Sequence, residues 1–144
     1  MRPHADARYA RLRDACAERG LRLTPQRDVL LKTLSGLDGH PTADELVRRV
    51  RRVLPSVSHA TVYRNVQDLK AAGLIGTLER AGGPVRYEVN PDDHHHFVCR
   101  KCDRVWDVYL DGVDFRLNRR RSGLRGFQVD RPEVQLYGLC ARCR

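Results

Sequence analysis

Apolar residues recur at helical spacing near the start of the chain. Between Ala7 and Arg19, Tyr9, Leu12 and Cys16 follow one another three or four residues apart, and Gly20 comes next. This spacing places the three side chains on one face of an amphipathic helix, and glycine commonly ends a helix. The pattern predicts a first helix with Cys16 in the core.

Two further helices are indicated by their start signals. In "LTPQRDVLLKTL", Thr24 can cap a helix that has Pro25 at its first position, and Leu30 and Leu34 share one face. In "HPTADELVRRVRRVL", Thr42 and Glu45 have the spacing of a capping box. The predicted buried stripe of this third helix is Leu46, Val50 and Val53, and Pro55 is expected to end it.

A fourth helix is predicted in "SHATVYRNVQDLKAAGLI", with Ser58 as its cap and Gly73 as its stop. The expected buried face is Val62, Val66 and Leu69. The expected outward face is Tyr63, Arg64, Asn65 and Gln67. The helix would therefore present hydrogen-bonding groups to a partner.

The stretch "LIGTLERAGGPVRYEVN" predicts two strands around a turn at Gly82, Gly83 and Pro84. Val85, Tyr87 and Val89 would face one way, and Arg86 and Glu88 the other. Helices followed by a hairpin are typical of a winged helix-turn-helix, which we assign to residues 1–90.

Residues 91–144 have a different pattern. The segments "HHHFVC", "RVWDVY" and "QVDRPEVQLYGLC" predict strands, and a weak helical period runs through Val113, Leu117 and Leu124. We expect a small α/β domain after a hinge near Pro91 to Asp93, which makes the whole chain an α+β protein of two domains.

Composition points toward nucleic acid as a partner. The 144 residues carry a formal net charge of +9, and arginine supplies nearly all of the cations. Arginine is suited to bidentate phosphate contacts, although a GC-rich genome would also raise its abundance. The chain has no apolar run of membrane-spanning length, and its start lacks a signal-peptide pattern, so we expect a cytoplasmic protein.

Two Cys-x-x-Cys pairs predict a metal site. The pairs are Cys99 with Cys102 and Cys140 with Cys143, and Cys16 is left over. In a reducing cytosol such pairs are more typical of zinc ligands than of disulfides, and four thiolates leave no open position on the ion. We expect a structural zinc.

The histidines of "DDHHHFVCRKC" point to a second site. On a strand, His94 and His96 would face one way, and His95, Phe97 and Cys99 the other. Further candidate ligands are Glu88, Asp107 and His40. Three imidazoles and two carboxylates are compatible with Fe(II), Mn(II) or Zn(II), although a solvated histidine run among ordinary surface acids stays possible on the residues alone.

The chain resembles the ferric uptake regulator family over nearly its whole length. The resemblance is carried by "LTPQR", "HPTADEL", "ATVYRNV", "RYEV", "DHHHFVCRKC" and "LYGLCARC", in the order and spacing of that family. It implies a metal-dependent transcriptional repressor, a homodimer that binds a near-palindromic DNA operator through its winged helix and dimerises through its C-terminal domain.

The resemblance also implies roles for individual residues. The structural zinc positions fall on Cys99, Cys102, Cys140 and Cys143. The regulatory Fe(II) or Mn(II) positions fall on His40, Glu88, His94, His96 and Asp107. Tyr63 and Arg64 occupy recognition-helix positions, and we expect Asn65 and Arg22 to contact DNA as well.

Within the family, two functions are open. "HPTADEL" and Asp107 resemble the peroxide-sensing members, whereas Glu88 and Arg64 resemble the iron regulators. In the peroxide sensors a ligand imidazole is oxidised, and the corresponding residues here are His40 and His94. We favour a peroxide sensor, with an iron- or manganese-uptake regulator as the alternative. A mononuclear metalloenzyme is the remote alternative, because no general acid or base remains once the ligands are assigned.

Overall fold

The computed structural model describes residues 3–80 and 82–144. The chain divides into two compact units, Met1–Pro91 and Asp92–Arg144. Within the described residues, none of the helices combines the length and the apolar character needed to cross a lipid bilayer.

The first unit consists of four helices and a two-stranded sheet. The helices are α1 (Pro3–Glu18), α2 (Pro25–Ser35), α3 (Ala43–Val50) and α4 (His59–Ala71). Strands β1 (Gly76–Leu78) and β2 (Arg86–Glu88) pair in an antiparallel register that sets Gly76 opposite Glu88. Four helices followed by this hairpin form the predicted winged helix-turn-helix.

The predicted caps all form. Thr24 and Ser58 cap α2 and α4, their side chains accepting from the N–H groups of Arg27 and Thr61. Thr42 and Glu45 make the reciprocal capping box at the start of α3. Each cap satisfies amide groups that the first turn of a helix leaves without a partner, typically worth about 1 kcal/mol.

The core of the first unit lies where the inner faces of the helices meet. Its most deeply buried side chains are Cys16, Leu30, Leu31, Leu34, Leu46, Val50, Val66 and Leu69. Removing each large apolar side chain from water contributes about 1.5–3 kcal/mol. The predicted burial of Val53 is wrong: α3 ends at Val50, so Val53 lies beyond the helical stripe and is 63% exposed.

The loop before α3 is hydrogen-bonded to strand β2. The N–H of Tyr87 donates to the carbonyl of Pro41 at 2.9 Å, and Nη1 of Arg86 donates to the carbonyl of His40 at 2.8 Å. These bonds place the loop before α3 beside β2, although the two segments are far apart in sequence. His40 and Glu88 meet as a result.

The second unit is built on a three-stranded sheet. Its strands are β3 (His95–Cys99), β4 (Val105–Val108) and β5 (Gln135–Gly138), in the order β4-β3-β5. Strand β3 is antiparallel to β4 and parallel to β5. Gly138 on β5 leaves room for a neighbouring ring, because a Cβ there would lie 3.1 Å from the ring of Phe97.

The helix predicted through Val113, Leu117 and Leu124 does not form. Residues 109–134 contain neither helix nor strand, and their turns include positive φ angles at Gly123 and Gly126. Between Leu117 and Leu124 the sequence offers three arginines and a glycine but no apolar residue, so a helix here would have too little apolar surface to bury. The last predicted strand is also shorter than expected and begins at Gln135, after Pro132.

Candidate metal centres and DNA-binding surface

Two tight turns present the four paired cysteines. The first turn leaves β3 at Cys99, where the N–H of Asp103 donates to the carbonyl of Cys99 at 2.9 Å and Asp103 takes a positive φ of 62°. In the second, the N–H of Cys143 donates to the carbonyl of Cys140 at 2.9 Å. Because β5 runs parallel to β3, both turns leave the same end of the sheet.

The four sulfur atoms converge. They lie within 4.8 Å of one another, and those of Cys102 and Cys140 are 3.8 Å apart. A tetrahedral zinc ion with Zn–S bonds of about 2.3 Å separates its sulfurs by about 3.8 Å. The donor set and its spacing therefore fit a zinc ion with four thiolate ligands and no open position.

Local hydrogen bonds give the thiols of Cys99 and Cys143 different pKa values. Backbone N–H groups, first that of Cys140 and then that of Cys102, lower the pKa of Cys99 to about 6. Hydrogen bonding to the other three sulfurs, Cys140 first, raises the pKa of Cys143 to about 12. The backbone thus stabilises the thiolate of Cys99. Deprotonation of all four cysteines requires a cation among the sulfurs.

The histidines of the second unit gather on the other face of β3. His96 is paired with Asp107 across the β3–β4 ladder, and its ring centroid lies 4.8 Å from that of His94. Nε2 of His94 is 3.7 Å from Oδ1 of Asp107. Both imidazoles are buried, with side chains 5% and 6% exposed, so water competes little for their nitrogens.

The orientation of His94 is fixed by a backbone contact. Its Nδ1 lies 2.6 Å from the carbonyl of Asp92, to which an Nδ1–H group donates. That bond selects the tautomer whose Nε2 carries the lone pair, and Nε2 is the atom directed toward Asp107. Ligand histidines in metal sites are commonly held in this way by their second nitrogen.

The first unit contains its own pair of possible metal ligands, His40 and Glu88. Nε2 of His40 lies 2.8 Å from Oε2 of Glu88, and the two side chains are 2% and 16% exposed. Their backbones are joined by the hydrogen bonds between β2 and the loop before α3. An imidazole and a carboxylate in contact form a partial cation site of mixed nitrogen and oxygen donors, as suits Fe(II) or Mn(II).

One neighbour of these histidines was not identified from the sequence. Oε1 of Glu133 lies 3.8 Å from Nδ1 of His96, because β5 pairs with β3 in a register that sets Gln135 beside His96. Glu133 stands in a segment where the sequence pattern carried no metal-ligand signal. Only the parallel pairing of the chain end with β3 could have revealed it.

The outer face of α4 is open to solvent at Tyr63 and Arg64, and Tyr63 is 47% exposed. Arg22, in the segment before α2, is exposed as well. Gln67 donates to the hydroxyl of Tyr87 at 3.4 Å, which links α4 to the wing. The exposed arginine and hydrogen-bonding groups of α4 are the kinds of side chain that contact DNA bases and phosphates.

Asn65 differs from the expectation of an exposed residue. It is 9% exposed, and its Nδ2 donates to the carbonyl of Thr61 at 2.9 Å. Its position three residues after Val62 places it on the inner stripe of α4, where the bond to its own helix satisfies the amide. We therefore remove Asn65 from the predicted DNA contacts.

Residues 18–137 match the family described as the ferric uptake regulator family. Among curated proteins, the chain is 32% identical over 126 residues to the peroxide operon regulator of Bacillus subtilis (strain 168), which covers 88% of this chain and 86% of that protein. The match spans most of both chains.

Solved structures agree with this result. A zinc-bound manganese uptake regulator is 32% identical, with a TM-score of 0.69 over 90% of this chain and 98% of that one. A zinc uptake regulator complexed with zinc and DNA is 27% identical, with a TM-score of 0.67 over 99% of this chain and 96% of that one.

Proposed function

This chain belongs to the ferric uptake regulator family, and we propose that it is a metal-dependent transcriptional repressor that binds DNA as a homodimer. Membership in a family of regulators supports a transcription regulator over an enzyme. The observation that carries the proposal is that His40 and Glu88, a contacting imidazole and carboxylate, belong to the winged-helix unit itself. A metal bound there acts directly on the unit that meets DNA.

We assign the regulatory site to His40, Glu88, His94, His96 and Asp107. Two of these residues lie in the first unit and three in the second. The ion would supply one positive centre for all five donors. Coordination from both units would then favour a single arrangement of the dimer, and the population of the DNA-competent form would follow the metal concentration through this differential affinity.

We assign a structural Zn²⁺ to Cys99, Cys102, Cys140 and Cys143. Support comes from the convergence of the sulfurs, which brings the pair after β5 to the pair at the end of β3. Ligation would tie the turn after β5 to β3, so the binding free energy would become folding free energy of the second unit. Loss of this ion should therefore unfold the unit, whereas loss of the regulatory ion should not.

Homodimerisation is supported by the surface of the second unit. Its exposed large apolar side chains include Tyr109, Phe115, Phe127, Leu136 and Tyr137, each at least 40% exposed. Apolar surface of this kind marks association sites. A dimer presents two α4 helices, which suits a near-palindromic operator with half-sites one helical turn of DNA apart.

For the signal, we propose peroxide sensed through Fe(II) at the regulatory site. The support is the similarity to the Bacillus subtilis peroxide operon regulator, together with the two buried imidazoles of His40 and His94. Hydrogen peroxide would transfer one of its oxygen atoms to a ring carbon of either imidazole. Its second oxygen atom would leave as water. The oxidised ring would be a poorer ligand, and the repressor would release DNA.

Control of manganese or iron uptake is the second candidate function. It is favoured by the manganese uptake regulator, whose structure is 32% identical to this chain. The ligand chemistry is the same for both functions. Reaction with peroxide distinguishes them.

The proposal is tested by DNA binding with and without metal. A duplex is first selected from a random-sequence library by the Mn(II)-loaded protein, and its affinity is then measured by fluorescence anisotropy. We expect at least tenfold tighter binding with Mn(II), about 1.4 kcal/mol of coupling, reversed by a chelator too weak to remove zinc. Equal affinity with and without Mn(II) would contradict the proposed mechanism.

A further inference from the structure

Arg27 on α2 is a buried arginine, 8% exposed. The proposed metal sites and DNA contacts do not include it. A guanidinium is always charged, and burying it is costly unless partners compensate. Its partners therefore indicate what it does.

Arg27 makes two short contacts from one guanidinium. Its Nη1 donates to the carbonyl of Arg22 at 2.6 Å, and its Nη2 donates to Oδ2 of Asp68 at 2.7 Å. The backbone N–H of Arg27 also donates to Oγ1 of Thr24 at 3.2 Å. One residue thus holds the segment before α2 at two places and α4 at a third.

The two segments that Arg27 joins are the ones that carry proposed DNA contacts. Arg22 is exposed, and its carbonyl also accepts from the N–H of Thr24 at 3.1 Å, which closes a tight turn. Asp68 follows Arg64 by four residues, one turn along α4, so both leave the same side of the helix. The bond from Arg27 to Asp68 therefore fixes the rotation of α4 about its axis, and with it the direction in which Arg64 points.

Stability alone does not require this arrangement. The ion pair is buried only on the arginine side, because the Asp68 side chain is 43% exposed, and a well-packed apolar side chain often stabilises a protein as well as a buried charge with its partner does. An apolar side chain would, however, set neither the direction of the Arg22 segment nor that of α4. The planar fork of arginine can hold both partners at once in a fixed geometry.

We propose that Arg27 is a positioning residue for DNA binding, which holds Arg22 and the Arg64 face of α4 in the arrangement that meets the phosphates of one duplex. This inference rests on the proposed DNA-binding function. It predicts that replacing Arg27 removes the phosphate contact of Arg22, although Arg22 is still present.

The test is the salt dependence of DNA binding. The Mn(II)-loaded protein is titrated onto poly(dA-dT) duplex over a series of salt concentrations, so that no specific operator is needed. Removing a single phosphate contact reduces the slope of log K against log salt concentration by about 0.9. We expect Arg22→Ala to lower the slope by one contact, Arg27→Met to lower it by at least as much, and the double variant to lower it no further than Arg27→Met alone.

Arg8→Met is the matched control. Nη1 of Arg8 also donates to backbone carbonyls, those of Ser35 at 3.3 Å and Leu37 at 3.1 Å, which belong to neither the Arg22 segment nor α4. This variant loses one charge and similar hydrogen bonds, and its slope should stay that of the unchanged protein. A slope lowered equally in Arg8→Met would overturn the inference.

Arg27→Lys separates charge from geometry. Lysine keeps the charge but lacks the planar fork in which Nη1 bonds to the Arg22 carbonyl and Nη2 to Asp68, so the slope should fall as in Arg27→Met. A slope that is preserved in Arg27→Lys and reduced in Arg27→Met would assign the effect to charge and overturn the positioning role.

If Mn(II)-dependent binding persists while Arg27→Met keeps the full slope, only this inference fails. Absence of any DNA binding by the unchanged protein overturns both proposals.

Discussion

Asp107 on β4 lies directly opposite His96 on β3, so the two side chains leave the same face of the sheet. Cys99, three residues after His96 on the same strand, leaves the other face and joins the sulfur cluster. One strand of five residues therefore serves two different donor sets. The sites should respond separately to mutation.

We expect His94→Ala and Cys99→Ala to have different effects. His94→Ala should reduce DNA affinity in the presence of Mn(II) to the level of the metal-free protein, with zinc content and melting temperature unchanged. Cys99→Ala should lose the zinc and unfold the second unit, because four thiolates are needed for the closed site. Zinc per chain and differential scanning calorimetry measure both effects.

His95→Ala is the control for this pair, since His95 points away from His96, and its Nδ1 accepts from the N–H of Val134 at 3.2 Å. It should retain Mn(II)-dependent binding. If His94→Ala also lost zinc, the two sites would not be separate.

Gly76→Ala should weaken regulatory metal binding without altering a ligand. A Cβ at position 76 would lie 2.9 Å from Oε1 of Glu88, its partner across the β1–β2 pair, and would push the carboxylate aside. We expect the affinity for Mn(II) to fall by about tenfold, as measured by calorimetric titration.

Gly36→Ala is the matched glycine replacement. Its Cβ would make an ordinary contact of 3.4 Å with the carbonyl of Lys32, so Mn(II) affinity should not change. Unchanged affinity in Gly76→Ala as well would argue against Glu88 as a ligand.

Hydrogen peroxide should oxidise the histidines that we propose as Fe(II) ligands. The Fe(II)-loaded protein is treated with dilute hydrogen peroxide, digested and examined by mass spectrometry. The peptides that contain His40 and His94 are expected to gain one oxygen atom, and DNA binding should disappear in parallel. The Mn(II)-loaded protein serves as the control and should gain none. Absence of added oxygen with Fe(II) would favour control of metal uptake.

The two neighbours Arg64 and Asn65 should differ in their effect on DNA binding. Arg64→Ala removes an exposed cation and should weaken binding by about 1–3 kcal/mol. Asn65→Ala removes a buried amide bonded to Thr61, so it should lower the melting temperature and change DNA affinity less than about twofold. Anisotropy titrations compare the two, and a large loss of affinity in Asn65→Ala would restore it as a DNA contact.

Asp28 should stabilise the first unit in a pH-dependent way. Its carboxylate accepts from Lys32 at 2.7 Å and from the hydroxyl of Tyr9, and these hydrogen bonds, that of Lys32 first, lower its pKa below the ordinary value. A lowered pKa means that the stabilisation is present above about pH 4, the pKa range of an unfolded aspartate, and is lost as the pH falls through the folded pKa.

We therefore expect Asp28→Asn to lower the free energy of unfolding by about 1 kcal/mol from pH 5 to 8, and by progressively less below pH 4. Urea unfolding at each pH measures the difference between the two proteins. Asp14→Asn, whose partner is the adjacent Arg13 and whose side chain is 61% exposed, should change it by less than about 0.5 kcal/mol. A difference that grew toward acid would contradict the lowered pKa.

Local signals in the sequence predicted much of the first unit. Thr24, Thr42 and Ser58 begin their helices where the chain chemistry indicated, because a cap depends on atoms within three residues of itself. The same reasoning failed for Val113, Leu117 and Leu124, where the weak apolar period offers too little apolar surface to bury. It also failed for Asn65, whose exposure depends on its place in the helical register and not on the polarity of its side chain.

The donor types, the cysteine pairs and the alternation that sends His96 and Cys99 to opposite faces are predictable from the sequence, because they depend on covalent spacing and the pleat of a strand. Which distant residues meet is not predictable in this way. Pairing of β2 with the loop before α3 brings His40 to Glu88, and the parallel placement of β5 beside β3 brings Cys140 to Cys99 and Glu133 to His96. Such contacts depend on long-range strand register, which the packing of whole elements sets and no local pattern encodes.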